Sequence, residues 1–168
     1  LKAAGLAYTG AALERFDTTT DRGITTDRIN RLASCDWIHH GQDLMVIGAT
    51  GTGKSFLAQA LGVTACRAQF PTRYVRLATL ADDFDALAIN PTARKEFMAE
   101  LARPSLLILD DFGMERQTEY AREQVFGVID GRYLARKPLI VTTNLSLQEL
   151  KHPADLAQQR IYDRILEL

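Results

Sequence analysis

The sequence is short of the residues that mark a specialised environment. Only two of its 168 residues are cysteine, Cys35 and Cys66, and neither stands in a C-x-x-C or a Cys/His metal spacing. That argues against a disulfide scaffold or a zinc centre and leaves two reduced thiols in a cytoplasmic protein as the expectation. Excess charge is lacking too, with 20 Lys and Arg against 21 Asp and Glu and a net charge of −1. No overall field draws the chain to nucleic acid or to an anionic membrane, so contact with DNA would need a local patch. No apolar run approaches the length of a membrane span, and Leu1-Lys-Ala-Ala-Gly5 lacks the apolar core of a signal peptide. Internal repeats and low-complexity tracts are absent. What remains, 46% hydrophobic and 24% charged residues, is the composition of a globular domain with a sizeable core.

Leu1 to Phe16 has the helix formers and spacing of a short docking helix, and Asp17-Thr-Thr-Thr-Asp-Arg-Gly23 is a polar break. Thr26 or Asp27 caps a helix in which Ile29, Leu32, Ala33 and Trp37 recur at helical spacing until His39-His40-Gly41. Residues 1–40 therefore read as a helical lead-in and 41–168 as the core. Strands are expected at Leu44–Gly48, Arg73–Ala78, Leu106–Asp111 and Leu139–Asn144. Helices are expected at Ser55–Gln69, about Thr79–Ala88, Thr92–Leu101 and Thr118–Leu134, beginning again at Ser146, and over Leu156–Leu168. Strands alternating with helices make an α/β domain with a parallel sheet and right-handed crossovers, in which a fifth strand would follow Leu168.

Gly48-Ala49-Thr50-Gly51-Thr52-Gly53-Lys54-Ser55 matches the phosphate-loop pattern G-x-x-x-x-G-K-[ST]. Phosphate needs many donors in a small volume, and a Gly-rich turn lets backbone N–H groups converge without Cβ interference. The following helix adds its positive end. Lys54 suits the outer phosphates and the Ser55 hydroxyl suits Mg²⁺, so ATP with Mg²⁺ is the expected ligand.

Leu106-Leu-Ile-Leu runs into Asp110-Asp111, and ligands of parallel sheets lie outside the carboxyl ends of the strands. Asp110 is expected to hold Mg²⁺ through its water shell, and Asp111, which points differently, to polarise the attacking water. The alternative is an acidic pair capping a surface turn. Asn144 ends another buried strand, where its amide would orient that water and sense the terminal phosphate. Arg160 and Arg164 lie one helical turn apart on one face, either as a solvated surface or as a finger into a neighbouring subunit's site. Arg67, Arg73 and Arg76 are candidates for a DNA track, without supporting aromatic interleaving.

These pieces together resemble the AAA+ ATPases of the DnaC/IstB family. The resemblance rests on the phosphate loop, Cys35-Asp-Trp-Ile-His-His-Gly41, Leu106-Leu-Ile-Leu-Asp-Asp-Phe-Gly113, Thr142-Thr-Asn-Leu-Ser146 and Arg160-Ile-Tyr-Asp-Arg164. It implies a three-layer αβα P-loop NTPase with sheet order 5-1-4-3-2, and ATP-driven oligomers on DNA, single-stranded in preference to duplex. It assigns Asn144 as sensor 1 and Arg164, with Arg160 second, as the arginine finger. The function it favours is a DnaC-like loader acting on a replicative helicase in DNA replication, and the alternative is an IstB-like helper acting with a transposase. A nucleotide-gated binding module with little turnover stands beside both. Two departures are that the chain stops before the last strand and sensor 2 region, and that Asp111 stands where most AAA+ members have Glu.

Overall fold

The run Leu106-Leu-Ile-Leu109 dictates the layering, because successive side chains of a strand leave on opposite faces. Leu106 and Ile108 enter one apolar cluster, while Leu107 and Leu109 enter another on the far side of the sheet. A strand buried on both faces needs helices on both, and the computed structural model, which describes residues 2–8, 10–16, 23–113 and 117–166, has that arrangement.

Four strands, β1 (Leu44–Ile47), β2 (Thr72–Arg76), β3 (Leu106–Phe112) and β4 (Leu139–Thr143), pair in parallel in the order β1-β4-β3-β2. This is the expected 5-1-4-3-2 arrangement over the strands present. The helices are α1 (Thr26–Ala33), α2 (Asp36–His39), α3 (Lys54–Arg67), α4 (Leu77–Ala86), α5 (Pro91–Ala102), α6 (Glu119–Leu134), α7 (Leu147–Lys151) and α8 (Leu156–Leu166). One face carries α3 with α1, α2 and the amino-terminal segment; the other carries α4, α6 and α8. Among the described residues no helix is long and apolar enough to cross a membrane.

Helix α3 is buried on nearly every side from Leu57 to Val63. It lies close to the sheet because Gly62 has no side chain: a Cβ there would stand 2.8 Å from Ile108 Cδ1 and 3.0 Å from Leu6 Cδ2. Local capping sets the other helices. Asn90 accepts from Ala93 N–H with Pro91 opening α5, Thr118 accepts from Ala121 N–H at the start of α6, and Ser146 with Glu149 forms a capping box on α7.

Two sequence expectations change. The segment expected as a docking helix over Leu1–Phe16 does dock in its described residues, 2–8 and 10–16, through buried Ala4, Leu6, Ala11, Leu13 and Phe16, but with short 3₁₀ turns at Lys2–Ala4 and Leu13–Arg15 in place of a helix. Gly5 and Gly10 disfavour a continuous helix, and the Tyr8 N–H donates instead to Gln59 Oε1 of α3 at 2.9 Å. The helix expected to run from Thr26 through Trp37 is broken into two at Cys35, whose φ is 59°. Ser34 makes the corner, its hydroxyl donating to the Arg31 carbonyl and accepting from the Asp36 N–H. The Trp37 indole N–H then folds back onto the Leu32 carbonyl at 3.0 Å. The polar stretch 17–22 and the end of the last helix at 167–168 lie outside the described residues.

At the amino ends of β3 and β4 the Arg132 guanidinium, 1% exposed, donates to the carbonyls of Leu101, Pro104, Ser105 and Pro138 at 2.9–3.2 Å. Burial pushes its pKa down to about 10, which still leaves a cation at neutral pH. The carboxyl ends of the strands, at the opposite side of the sheet, are built for different chemistry.

Candidate active site

The chain leaves β1 at Ile47, and the Gly48 N–H still pairs with the Thr143 carbonyl of β4 at 3.2 Å, so the sheet anchors the loop's first residue. The loop then folds on the Ala49 carbonyl, which accepts from the Thr52 hydroxyl at 2.8 Å and from Lys54 Nζ at 2.8 Å. Gly53 closes it at φ 88°, a conformation an L side chain rarely adopts, and starts α3 without a side-chain cap. The uncapped first-turn N–H groups of α3 therefore face the loop, with the helix dipole behind them.

Asp110 is 1% exposed and every contact of its carboxylate is a hydroxyl. Oδ1 accepts from Ser55 Oγ at 3.0 Å and from Thr142 Oγ1 at 2.5 Å, and Oδ2 accepts from Tyr74 Oη at 2.6 Å. Burial and the Asp110 carboxylate push the Tyr74 phenol far above its ordinary range, so it is a fixed donor. The phosphate-loop serine and the strand-end aspartate thus meet across 55 residues of sequence.

Regular alternation would send Asp111 into the apolar layer holding Leu107 and Leu109. It does not, because β3 carries one extra residue there: Leu109 is opposite Val141, but Phe112 is opposite Thr143. This bulge puts Asp111 at φ 61° and gives the apolar position to Phe112, which packs edge-on against Tyr162. Released from the core, the Asp111 carboxylate accepts from Arg76 Nη2 at 2.7 Å. Arg76, considered for a DNA track, is the ion-pair partner of this carboxylate.

Asn144 follows β4 directly, and its Oδ1 is buried with no hydrogen-bond partner among the described residues. An orphaned amide atom one residue beyond the Thr143 carbonyl that anchors Gly48 fits a site that receives a polar ligand. Among the described residues no cluster of three His, Cys, Asp or Glu side chains could cage a metal.

Arg160 and Arg164, on α8, make contacts with α6 of the same chain. The Arg160 guanidinium stacks over Phe126 at 4.6 Å, and Arg164 stacks over Tyr133 at 4.3 Å while pairing with Asp130 at 2.7 Å. The structure therefore brings Ser55, Lys54, Asp110, Asp111 and Asn144 to one strand-end site and sets the two arginines apart on α8.

Sequence reasoning missed four participants. Tyr74 holds Asp110, Arg76 holds Asp111, and Thr142 bonds to both. The fourth is a cleft of ≈ 660 Å³ beside the loop, bounded by Phe16, Ile24 and Arg28 on one side and Ile47, Lys54 and Leu57 on the other. Only Thr142 carried a signal, as one of two threonines closing a strand that opens with Leu139-Ile-Val141.

The family described as IstB-like ATP binding protein matches residues 1–167. The ATP-binding protein of insertion sequence IS1162 from Pseudomonas fluorescens is 35% identical over 141 residues, 84% of this chain and 61% of that protein. The replicative helicase loader DnaI of Bacillus subtilis is 26% identical over 138 residues, 76% of this chain and 44% of that protein. In fold, the crystal structure of the DnaC helicase loader superposes with a TM-score of 0.74 at 24% identity, covering 94% of this chain and 93% of that one. The chain spans about half to three-fifths of the length of the curated relatives it matches.

Proposed function

The chain belongs to the IstB-like ATP-binding protein family, with the AAA+ P-loop fold, and from that premise we propose that it binds ATP with Mg²⁺ at residues 48–55 and hydrolyses it while acting on DNA. The Ser55–Asp110 hydrogen bond carries this reading, because it joins the two groups that share a nucleotide-bound Mg²⁺. A bound Mg²⁺ would be held by Ser55 Oγ and, through its water, by Asp110, and would offset the phosphate charge. Backbone N–H groups of Gly51, Thr52 and Gly53, with those of Ala49 and Thr50, wrap the phosphates, and Lys54 exchanges the Ala49 carbonyl for their outer oxygens. The apolar cleft between Ile24 and Ile47 takes the base. Asp111 accepts the proton of the attacking water, which Asn144 orients. Arg164, with Arg160 beside it, completes the site of a neighbouring copy after leaving Asp130.

The process served is transposition, with a transposase as partner and DNA as the track. The 35% identical relative from an insertion sequence supports this over the DnaC-like loader that the motifs first favoured. Helicase loading onto single-stranded DNA is the second reading, supported by the DnaI relative. The deciding measurement is the ATPase rate without DNA, with single-stranded DNA and with duplex DNA, for wild type, Lys54→Ala and Arg164→Ala. Stimulation by duplex supports the transposition reading, and stimulation by single strands alone supports the loader. An Arg164→Ala rate equal to wild type, with no dependence on protein concentration, ends the shared-site account. Nucleotide binding without turnover under every condition leaves a gated binding module.

A further inference from the structure

Thr142 stands opposite the bulge in β3, fully buried in β4, where valine would fill the same space without a hydroxyl to satisfy. Its Oγ1 makes two bonds whose directions are forced. The Asp111 N–H can only donate, and it does so to Thr142 Oγ1 at 3.0 Å. A carboxylate can only accept, so the single Thr142 hydrogen goes to Asp110 Oδ1. The result is a one-way chain from the Asp111 backbone through Thr142 to the Asp110 side chain. The next residue ties the other side of the same bulge: Thr143 Oγ1 donates to the Phe112 carbonyl at 2.7 Å and accepts from the Leu145 N–H at 3.1 Å.

We infer that Thr142 is a positioning residue that sets both aspartates at once, aiming the Asp110 carboxylate at the Mg²⁺ position and holding the bulge that turns Asp111 toward the nucleotide. An ionised carboxylate offers about four acceptor positions. Thr142 and Tyr74 occupy one on each oxygen of Asp110 and Ser55 a third. The carboxylate is thereby fixed in rotation, with a single acceptor position left for a water of the metal shell. Tyr74 does this for Asp110 alone, since no bond joins it to Asp111. Removing groups that orient a metal-holding side chain typically costs about 10- to 100-fold in metal affinity or activity.

This inference rests on the ATP-Mg²⁺ reading above, and its test separates the two. Wild type, Thr142→Val, Thr142→Ser and Tyr74→Phe are compared by ATP binding titrated against Mg²⁺, by the ATPase rate at saturating Mg²⁺, and by thermal midpoint. Thr142→Val is expected to raise the half-saturating Mg²⁺ and to lower kcat, each about 10-fold or more, with the KM for ATP nearly unchanged. Thr142→Ser restores the hydroxyl and is expected within about threefold of wild type on both. Tyr74→Phe loosens Asp110 alone and is expected to raise the half-saturating Mg²⁺ while lowering kcat at saturating Mg²⁺ less than Thr142→Val does, because Asp111 keeps its hold. Should Thr142→Val not fold, hydrogen exchange in the wild type and in Thr142→Ser reads the same bond: the Asp111 amide must be protected in both. Wild-type Mg²⁺ dependence and kcat in a folded Thr142→Val, or a fast-exchanging Asp111 amide, overturns the assignment. A wild type that binds ATP with Mg²⁺ but never hydrolyses it defeats the hydrolysis reading alone, because the Mg²⁺ titration still measures the hold on Asp110.

Discussion

The Arg76 guanidinium at the end of β2 lies 2.7 Å from the carboxylate of Asp111, so the group proposed to accept a proton from water is already engaged by a cation. The Arg76 side chain is 62% exposed, and a pair so open to solvent holds its members with about 0.2–1 kcal/mol. Arg76→Gln removes that partner and leaves the Asp111 carboxylate open to the attacking water of the proposed reaction. The basal ATPase rate should therefore rise by up to about fivefold, the equivalent of that pairing energy. Steady-state assays at low protein concentration measure it. A slower variant would mean that Arg76 helps catalysis rather than restraining it.

Arg132 ties α5 and the entries to β3 and β4 through four carbonyls, and its loss leaves those acceptors buried. Arg132→Met should cost about 3 kcal/mol or more, as losing a buried charge in a hydrogen-bonded network does. For a domain of this size that lowers Tm by roughly 6–12 °C. Since Arg132 lies at the other end of the sheet from Asp110, nucleotide affinity measured well below Tm should not change. Calorimetry and a nucleotide titration together check both halves.

Asp43 accepts from the Leu139 N–H at 2.6 Å just before β1. Its pKa is raised, because burial outweighs the lowering by that bond and by Arg132. The sign follows from proton counting: in the window just above the ordinary carboxylate range the folded state binds more protons than the unfolded chain, so stability falls as pH rises through it. Asp43→Asn retains a carbonyl acceptor and removes that dependence. Denaturant unfolding should show the wild type losing stability relative to the variant between pH 4 and pH 7. Parallel pH profiles for the two proteins would contradict it.

The two thiols should react in a fixed order. Cys35 is 2% exposed at the α1–α2 corner, and burial, then the neighbouring Asp36, pushes its pKa up. Cys66 is only partly buried on α3 and borders a surface cleft. Iodoacetamide at pH 8 should label Cys66 first and Cys35 only after denaturant is added, as peptide mass spectrometry would resolve. Early labelling of Cys35 would mean that the corner opens in the native protein.

The phosphate loop, the four strands and the strand-end positions of Asp110 and Asn144 were legible because each is local: a Gly spacing, an apolar run, a polar residue where the run stops. The bulge at Asp110–Asp111 was not, since it depends on a count of residues between β3 and β4 and on Thr142 lying opposite. The Tyr74–Asp110 and Arg76–Asp111 bonds join residues 36 and 35 positions apart, across neighbouring strands, and no spacing rule reaches them. The cleft escaped for a related reason, because Phe16, Ile24 and Arg28 acquire a shared wall only when the lead-in packs on α3. The corner at Cys35 was hidden by apolar positions that keep helical spacing across a break made by Ser34.

The Ala49 carbonyl makes the loop a rival for its own lysine. On the proposed reading, a nucleotide's outer phosphate must win Lys54 Nζ from an acceptor 2.8 Å away. Adenosine has nothing negative to offer in return, while a terminal phosphate offers more than the carbonyl does. Selectivity for the charged tail over the base is thus set by a contact the protein makes with itself.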